Sequence, residues 1–191
     1  MLLAAQQQTP GGGSLYILHW VEGKLRLLEE RATTPFDRGN FEAFKREVTQ
    51  NFRVIVSIDV WQAIRLVNER FAGNHKDIID QLGRDPQEQL AYLDALLARP
   101  GNPIQDTILA HVQESTNAAE AKKCLEVLKL HLRLCCQLRP QGVLALVERK
   151  VISKNSCYPI EDCLQICQEF KQAEAVFLLS KKLGKYFDSV S

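Results

Sequence analysis

Cysteine and histidine have the most reactive side chains in this sequence, and several of them recur at helical spacing. His131 and Cys135 lie four positions apart, as do Cys163 and Cys167, so each pair would face one side of a helix and could share one zinc ion. Structural zinc sites usually draw their ligands in pairs from turns at Cys-x-x-Cys spacing, which is absent from this sequence. We therefore predict no metal site and expect these thiols to pack in the core.

The cysteines also bear on the redox environment of the protein. All six fall in the C-terminal part of the chain: Cys124, Cys135, Cys136, Cys157, Cys163 and Cys167. An even number would allow disulfides, but two adjacent cysteines and a pair within one helix make a poor disulfide framework. The first five residues are too short and uncharged to be a secretory signal. Reduced thiols in a cytoplasmic protein are therefore the better interpretation.

Nucleophilic catalysis needs a cysteine or serine held beside a histidine. His19, His75, His111 and His131 lie in unrelated predicted helices. No Gly-x-Ser-x-Gly elbow occurs, and Gly11-Gly12-Gly13 lacks the preceding strand and the following Gly-Lys-Ser of a nucleotide-binding loop. We predict that the protein is not an enzyme and has no catalytic or cofactor-binding residue.

The nearly neutral net charge argues against partners that bind through a strong electrostatic field. The 24 basic and 23 acidic residues leave a net charge of +1, so we expect no nucleic acid among the partners. Lys181, Lys182 and Lys185 lie at the end of a predicted helix, where cations interact favourably with its dipole. No apolar run reaches the roughly 18 residues of a membrane span. Trp20 and Trp61 are expected in the core, although either could anchor a partner.

Helical periodicity predicts an all-α fold of about eight to ten helices, packed as the antiparallel hairpins of an α-solenoid. The longest predicted helix, Ala121–Leu138, confines its polar residues to one narrow stripe: Lys122, Glu126, Lys129, Arg133 and Gln137. Neighbouring helices must cover such a helix on several sides. Residues 1–13 end in Gln-Gln-Gln-Thr-Pro-Gly-Gly-Gly and are predicted to be a flexible leader, so the helical segment covers 14–191.

Start and stop signals place the other helices. They are predicted over about 15–31, 40–52, 141–150 and 172–183, and through Ile78–Leu82, Leu90–Leu97, Ile104–Val112 and Ile160–Phe170. Three begin at a proline, in Asp85-Pro86, Asn102-Pro103 and Tyr158-Pro159, and Asn117 with Glu120 starts the longest.

Three further expectations concern single segments. The run 53–58 has the composition of a strand, but a strand there would be isolated. We therefore predict a helix that continues through Trp61, Ile64, Val67 and Phe71. In the last helix, small Ala173 and Ala175 are expected to allow close approach, and Phe177 is expected to pack. Gly184 suits the stop of that helix.

The C-terminal segments Tyr158–Phe170 and Ala173–Tyr186 resemble a helical hairpin of a known family. They are similar to the clathrin heavy-chain-type repeats of the vacuolar protein-sorting tether subunits in the CORVET and HOPS complexes. The preceding Leu134–Leu146 is most similar to the CORVET-specific subunit, and Gln87–Leu97 fits the same array. The clear likeness covers about 124–187.

The resemblance implies a non-enzymatic scaffold segment of an endosomal vesicle-tethering complex. Its partners would be other tether subunits and a small Rab-type GTPase, and it would lie in the cytoplasm, peripheral to endosomal or vacuolar membranes. The N-terminal β-propeller and C-terminal RING of the family are missing here, so no GTPase-binding residue is carried over. We therefore expect a fragment or a reduced relative. The alternatives are a coat or other transport scaffold and a nucleic-acid-binding helical repeat.

Overall fold

The computed structural model describes residues 13–71, 74–83, 85–98, 102–114, 118–154 and 156–184. Every regular element in these ranges is helical, which confirms the predicted all-α class. They contain eleven α-helical segments, more than the eight to ten expected. The predictions for residues 1–12, for the cap at Asn117 and for 185–191 lie outside the described residues. The chain divides into two compact units, Met1–Leu96 and Leu97–Ser191.

The first unit contains six helices. They are α1 (Gly13–Arg31), α2 (Pro35–Gln50), α3 (Phe52–Ile58), α4 (Val60–Arg70), α5 (His75–Gln81) and α6 (Pro86–Leu96). Helix α1 packs against α2, α3 and α4, while α4 packs against α6. The largest fully buried side chains of this unit include Tyr92, Phe52 and Leu25. The inward stripe of α1 contains Leu18, Val21 and Leu25.

Two boundaries of the first unit differ from the prediction. Helix α2 begins at Pro35 rather than near residue 40, because Thr34 caps it by accepting a hydrogen bond from the Asp37 backbone N–H at 3.1 Å. The segment 53–58 is helical, as predicted, but it does not continue through Trp61. Asp59 is extended and caps α4, since its carboxylate accepts hydrogen bonds from two backbone N–H groups. This break and the one at Asn51 raise the number of helices.

The second unit is built around its longest helix. Its elements are α7 (Pro103–Glu114), α8 (Ala118–Leu138), α9 (Val143–Leu146), α10 (Ile160–Glu169) and α11 (Ala173–Lys182). Helix α8 packs against α7, α9 and α10, and α10 packs against α11. The predicted polar stripe of α8 is confirmed: four of its members are exposed, and Lys129 is half-buried. Buried residues occupy most of the remaining circumference of α8.

The segment after α8 is less regular than the predicted helix 141–150. A 3-10 turn, Pro140–Gly142, leads into α9, and α9 continues into a π-helical turn, Val147–Val151. Val143, Val147 and Val151 are fully buried, so the segment keeps one inward face through the change of helix type. Helix α11 packs against both α9 and the π-helical turn.

Helix α11 corrects two predictions about packing. Ala175 and Leu179 are buried, but Ala173 is exposed, and Phe177 is 67% exposed instead of packed. Gly184 follows the helix with φ +68°, the left-handed conformation that glycine adopts without strain, so the predicted stop is confirmed. Among the described residues, no helix combines the length and the apolar character needed to cross a membrane.

Candidate functional site

In the first unit the buried histidine is held in a hydrogen-bonded core. His75 lies at the start of α5 and is 1% exposed. Its Nε2–H donates to Asn68 Oδ1 of α4 at 2.8 Å, and its Nδ1 accepts from the Tyr92 hydroxyl of α6 at 2.8 Å. Burial lowers the pKa of His75 to about 4 and raises the pKa of Tyr92. The hydrogen bonds among Asn68, His75 and Tyr92 join three helices. Because both ring nitrogens of His75 are hydrogen-bonded inside the core, the ring offers no accessible base.

A similar pair lies in the second unit. The Nδ1 of His131 on α8 is 2.8 Å from the hydroxyl of Tyr158, which precedes α10. The other ring nitrogen is 3.7 Å from the Cys135 thiol. The structure therefore brings His131 and Cys135 together, as their spacing allows. Both are buried, so neither presents a nucleophile or a base to solvent.

The thiols of Cys136, Cys163 and Cys167 meet between α8 and α10. Cys136 and Cys167 share a thiol–thiol hydrogen bond. This bond, together with burial, raises the pKa of Cys136, and the same bond lowers the pKa of Cys167 although burial acts in the opposite direction. Burial raises the pKa of Cys163 to about 12. All three side chains are at most 3% exposed, and a reactive cysteine needs both an accessible sulfur and a readily formed thiolate. The arrangement is that of core packing.

One concavity of the second unit is a cleft of about 260 Å³ beside the π-helical turn. Its polar side chains are largely used by the chain itself. Lys150 Nζ donates to the Leu97 carbonyl at 2.8 Å, and Ser156 Oγ accepts from the Tyr158 backbone N–H. Asn102 Oδ1 accepts from the Gln105 backbone N–H and so caps α7. These hydrogen bonds connect loops to helices, and they leave few polar groups in the cleft that could bind a ligand.

The outer face of α1 exposes large apolar side chains to solvent. Tyr16, Trp20 and Leu27 are 71%, 37% and 44% exposed. They recur at the spacing of one helical face, and Gly23 lies between Trp20 and Leu27, where an added Cβ would meet open space. We call Tyr16, Trp20, Gly23 and Leu27 the α1 stripe. Because α1 also buries apolar residues on its opposite side, it is apolar on two faces.

Trp20 is held in place within the stripe. Its ring meets Phe44 of α2 edge to face at 5.9 Å, and Lys24 Nζ lies 4.8 Å from the Trp20 ring centre and 4.1 Å from that of Phe44. These contacts fix the indole without covering it. The prediction that both tryptophans lie in the core is wrong, since Trp61 is also exposed.

A second exposed apolar surface lies on the second unit. A shallow groove of about 400 Å³ separates α11 from α9 and the π-helical turn, and it is lined by Leu144, Glu148, Ala173, Glu174, Phe177 and Leu178. We call it the α11 groove. Phe177 is the largest apolar side chain in it, and the two glutamates are exposed.

Sequence reasoning missed both surfaces. It treated Trp20 and Phe177 as core residues, because hydrophobic side chains at helical spacing usually pack. The signal for the stripe was present, since α1 contains more apolar residues than a single buried face requires. Comparison of the chain with protein-family models, curated proteins and solved structures finds no significant match.

Proposed function

We propose that this chain is a non-enzymatic scaffold that binds other proteins through exposed apolar helix faces. The α1 stripe is the observation that carries the proposal. Its exposed side chains include a tyrosine and a tryptophan, the residue types that most often dominate the energy of protein interfaces. Covering Tyr16 and Leu27 would contribute about 1–2 kcal/mol each. His75 and His131 are buried, and a ring nitrogen of each lies 2.8 Å from a tyrosine hydroxyl.

The architecture supports the same proposal. Consecutive helices pack as hairpins in both units, as α1 with α2, α7 with α8, and α10 with α11. We propose that these hairpins form an α-solenoid segment, a fold whose repeated helices present long binding surfaces.

A finer proposal comes from the sequence. The resemblance of 124–187 to clathrin heavy-chain-type repeats supports a role in an endosomal vesicle-tethering complex of the CORVET or HOPS type. The partners would be other tether subunits and a Rab-type GTPase, and the chain would reach endosomal or vacuolar membranes through them. The mechanism is one of shape and apolar contact and needs no chemical step.

Affinity capture tests this function. The tagged chain is incubated with cell lysate, with and without a non-hydrolysable GTP analogue, and bound proteins are identified by mass spectrometry. We expect tether subunits in the eluate and a Rab-type GTPase only with the analogue. Capture of coat proteins or of RNA-associated proteins without tether subunits would contradict the tethering role.

A double variant tests the contribution of the stripe. Tyr16→Ala with Leu27→Ala removes exposed apolar surface while leaving the Trp20–Phe44 contact in place. We expect at least a tenfold loss of captured partner, as for central interface residues. Val112→Ala, which truncates an exposed valine of α7, is the matched control and should bind normally. Equal capture by the double variant and the control would remove the stripe from the binding surface.

A further inference from the structure

The α11 groove combines an exposed aromatic anchor with unpaired negative charge. Phe177 lines it together with Leu144 of α9 and Leu178 of α11. Glu148 and Glu174 lie on opposite sides of the apolar floor, one on the π-helical turn and one on α11. In the part of the chain that the structure describes, neither carboxylate is in an ion pair or a side-chain hydrogen bond.

Among the described residues, no cation of the neighbouring segments forms an ion pair with either glutamate. Lys181 and Lys182 lie in the last turn of α11, where they offset the helix dipole, and neither lines the groove. Arg149 follows Glu148 in the π-helical turn but lines the cleft near Tyr158 instead. The groove is therefore an apolar floor with two free carboxylates beside it.

A comparable groove in the first unit lacks this property. It lies at the break between α3 and α4, lined by Val56, Ile58, Val60 and Ala91 with Asp59 and Glu88. There Asp59 is used as the cap of α4, and Glu88 pairs with Arg53 at 2.6 Å. Its acidic groups already have internal partners, so it carries no comparable signal for a charged ligand.

We propose that the α11 groove binds a cationic amphipathic helix of a partner protein. An apolar side chain of that helix would pack on Phe177, and lysine or arginine residues beside it would meet Glu148 and Glu174. A channel between two helical segments fits a third helix, which presents apolar anchors at i, i+3, i+4 and i+7. Opposite charge at the rim chooses the partner and its orientation, while the aromatic anchor supplies most of the affinity.

The inference rests on the proposed function, because it names the partner chemistry of a second docking surface of the scaffold. It is tested separately from the α1 stripe. Loss of peptide binding to the groove with normal capture through the stripe would end this inference alone. Loss of capture with normal peptide binding would contradict the proposed function and leave the inference about the α11 groove intact.

The experiment uses the full chain and two synthetic peptides. Both are fluorescein-labelled amphipathic helices with leucines at i, i+3, i+4 and i+7; one has lysines beside the leucines and the other has glutamates. Fluorescence anisotropy should show binding of the lysine peptide at least ten times tighter than of the glutamate peptide, and binding that weakens as salt is raised. Equal binding of the two peptides, or no binding of either, would overturn the proposal.

Two sets of variants assign the binding to the groove. Phe177→Ala should weaken the lysine peptide at least tenfold, whereas Phe36→Ala, which truncates a phenylalanine that is 77% exposed on α2, should not. Glu148→Lys with Glu174→Lys should reverse the preference, so that the glutamate peptide becomes the tighter ligand. Because a reversal requires a folded protein, it separates loss of recognition from loss of structure. An unchanged preference would overturn the charge argument.

Discussion

His75 is a buried histidine whose ionisation is tied to the folding of the first unit. Its neutral ring fits the site, because Nε2–H meets the Asn68 carbonyl oxygen and Nδ1 meets the Tyr92 hydroxyl. A proton on Nδ1 would place a charge in the core, away from water. This cost is the physical reason that burial lowers the pKa of His75 from 6.5 to about 4.

The first unit should therefore lose stability as the pH falls from 6.5 to 4. In that interval the unfolded chain binds a proton at residue 75 and the folded chain does not, so acid favours unfolding. A shift from 6.5 to about 4 corresponds to a loss of about 3 kcal/mol. Urea titrations followed by tryptophan fluorescence measure it, because Trp20 and Trp61 both lie in this unit.

The variant His75→Gln separates this effect from the titration of carboxylates. It should be less stable than the natural chain at pH 7, and its stability should fall less between pH 6.5 and 5. His19→Gln changes an exposed histidine and should keep the original dependence. An identical pH dependence for His75→Gln and the natural chain would contradict the assignment.

At the scale of the element, side-chain hydrogen bonds at helix ends explain where the helices of the first unit begin and end. The spacing of apolar residues explains these boundaries less well. The run 53–58 is rich in β-branched residues, yet it forms a helix because Phe52 and Ile55 are buried on one side and the described part of the chain contains no strand that could pair with it. The helix ends because the Asp59 carboxylate captures the backbone N–H groups of Trp61 and Gln62 at 2.8 and 3.1 Å. One side chain thus separates α3 from α4.

Asp59→Ala should destabilise the first unit by about 1 kcal/mol, since it leaves two backbone donors of α4 without their side-chain partner. Asp59→Asn is the matched control: it retains an oxygen acceptor at the same position and should lose only a few tenths of a kcal/mol. Urea midpoints from tryptophan fluorescence compare the two variants. Equal losses for alanine and asparagine would mean that the negative charge matters and the hydrogen bonds do not.

The sequence correctly predicts helices whose starts carry a recognisable capping signal. The starts at Asp85-Pro86 and Asn102-Pro103 are correct because a side-chain oxygen and a first-turn proline act within a few residues of each other. Thr34-Pro35 carries the same kind of signal, but the sequence pattern predicted that this helix begins near residue 40. The π-helical turn at Val147–Val151 has no local signature, since its form depends on packing against α11.

The candidate surfaces were harder to predict than the helices. An apolar residue at helical spacing is compatible with a buried face and with an exposed face, and Phe177 and Trp20 are exposed. What distinguishes them is the presence or absence of a neighbouring helix, which follows from the path of the whole chain. Local pattern therefore predicts that α1 and α11 are helices but not which of their faces meet solvent.

At the scale of the whole molecule, each unit has its own core and its own exposed apolar surface. The core of the first unit joins α4, α5 and α6 through the His75 hydrogen bonds, and its outer surface is the α1 stripe. The core of the second unit surrounds α8, and its outer surface is the α11 groove. The two proposed docking surfaces, one on each unit, would let one chain bind two partners at once.

Two self-contained cores predict that each unit folds when separated from the other. The sequence supplies a separate probe for each, because both tryptophans lie in 1–96 and all six cysteines in 97–191. Fragment 1–96 should unfold cooperatively in urea by tryptophan fluorescence. Fragment 97–191 should protect Cys163 and Cys167, whose side chains are fully buried, against a thiol reagent until urea unfolds it.

A core variant in the second fragment provides the control. Leu132 is fully buried on α8, and Leu132→Ala should destabilise fragment 97–191 by about 2–5 kcal/mol, so that its thiols react at lower urea. Lys122→Ala changes an exposed residue of the same helix and should leave the transition in place. Immediate reaction of all six thiols in buffer would show that this unit needs the rest of the chain, and that the cores are not independent.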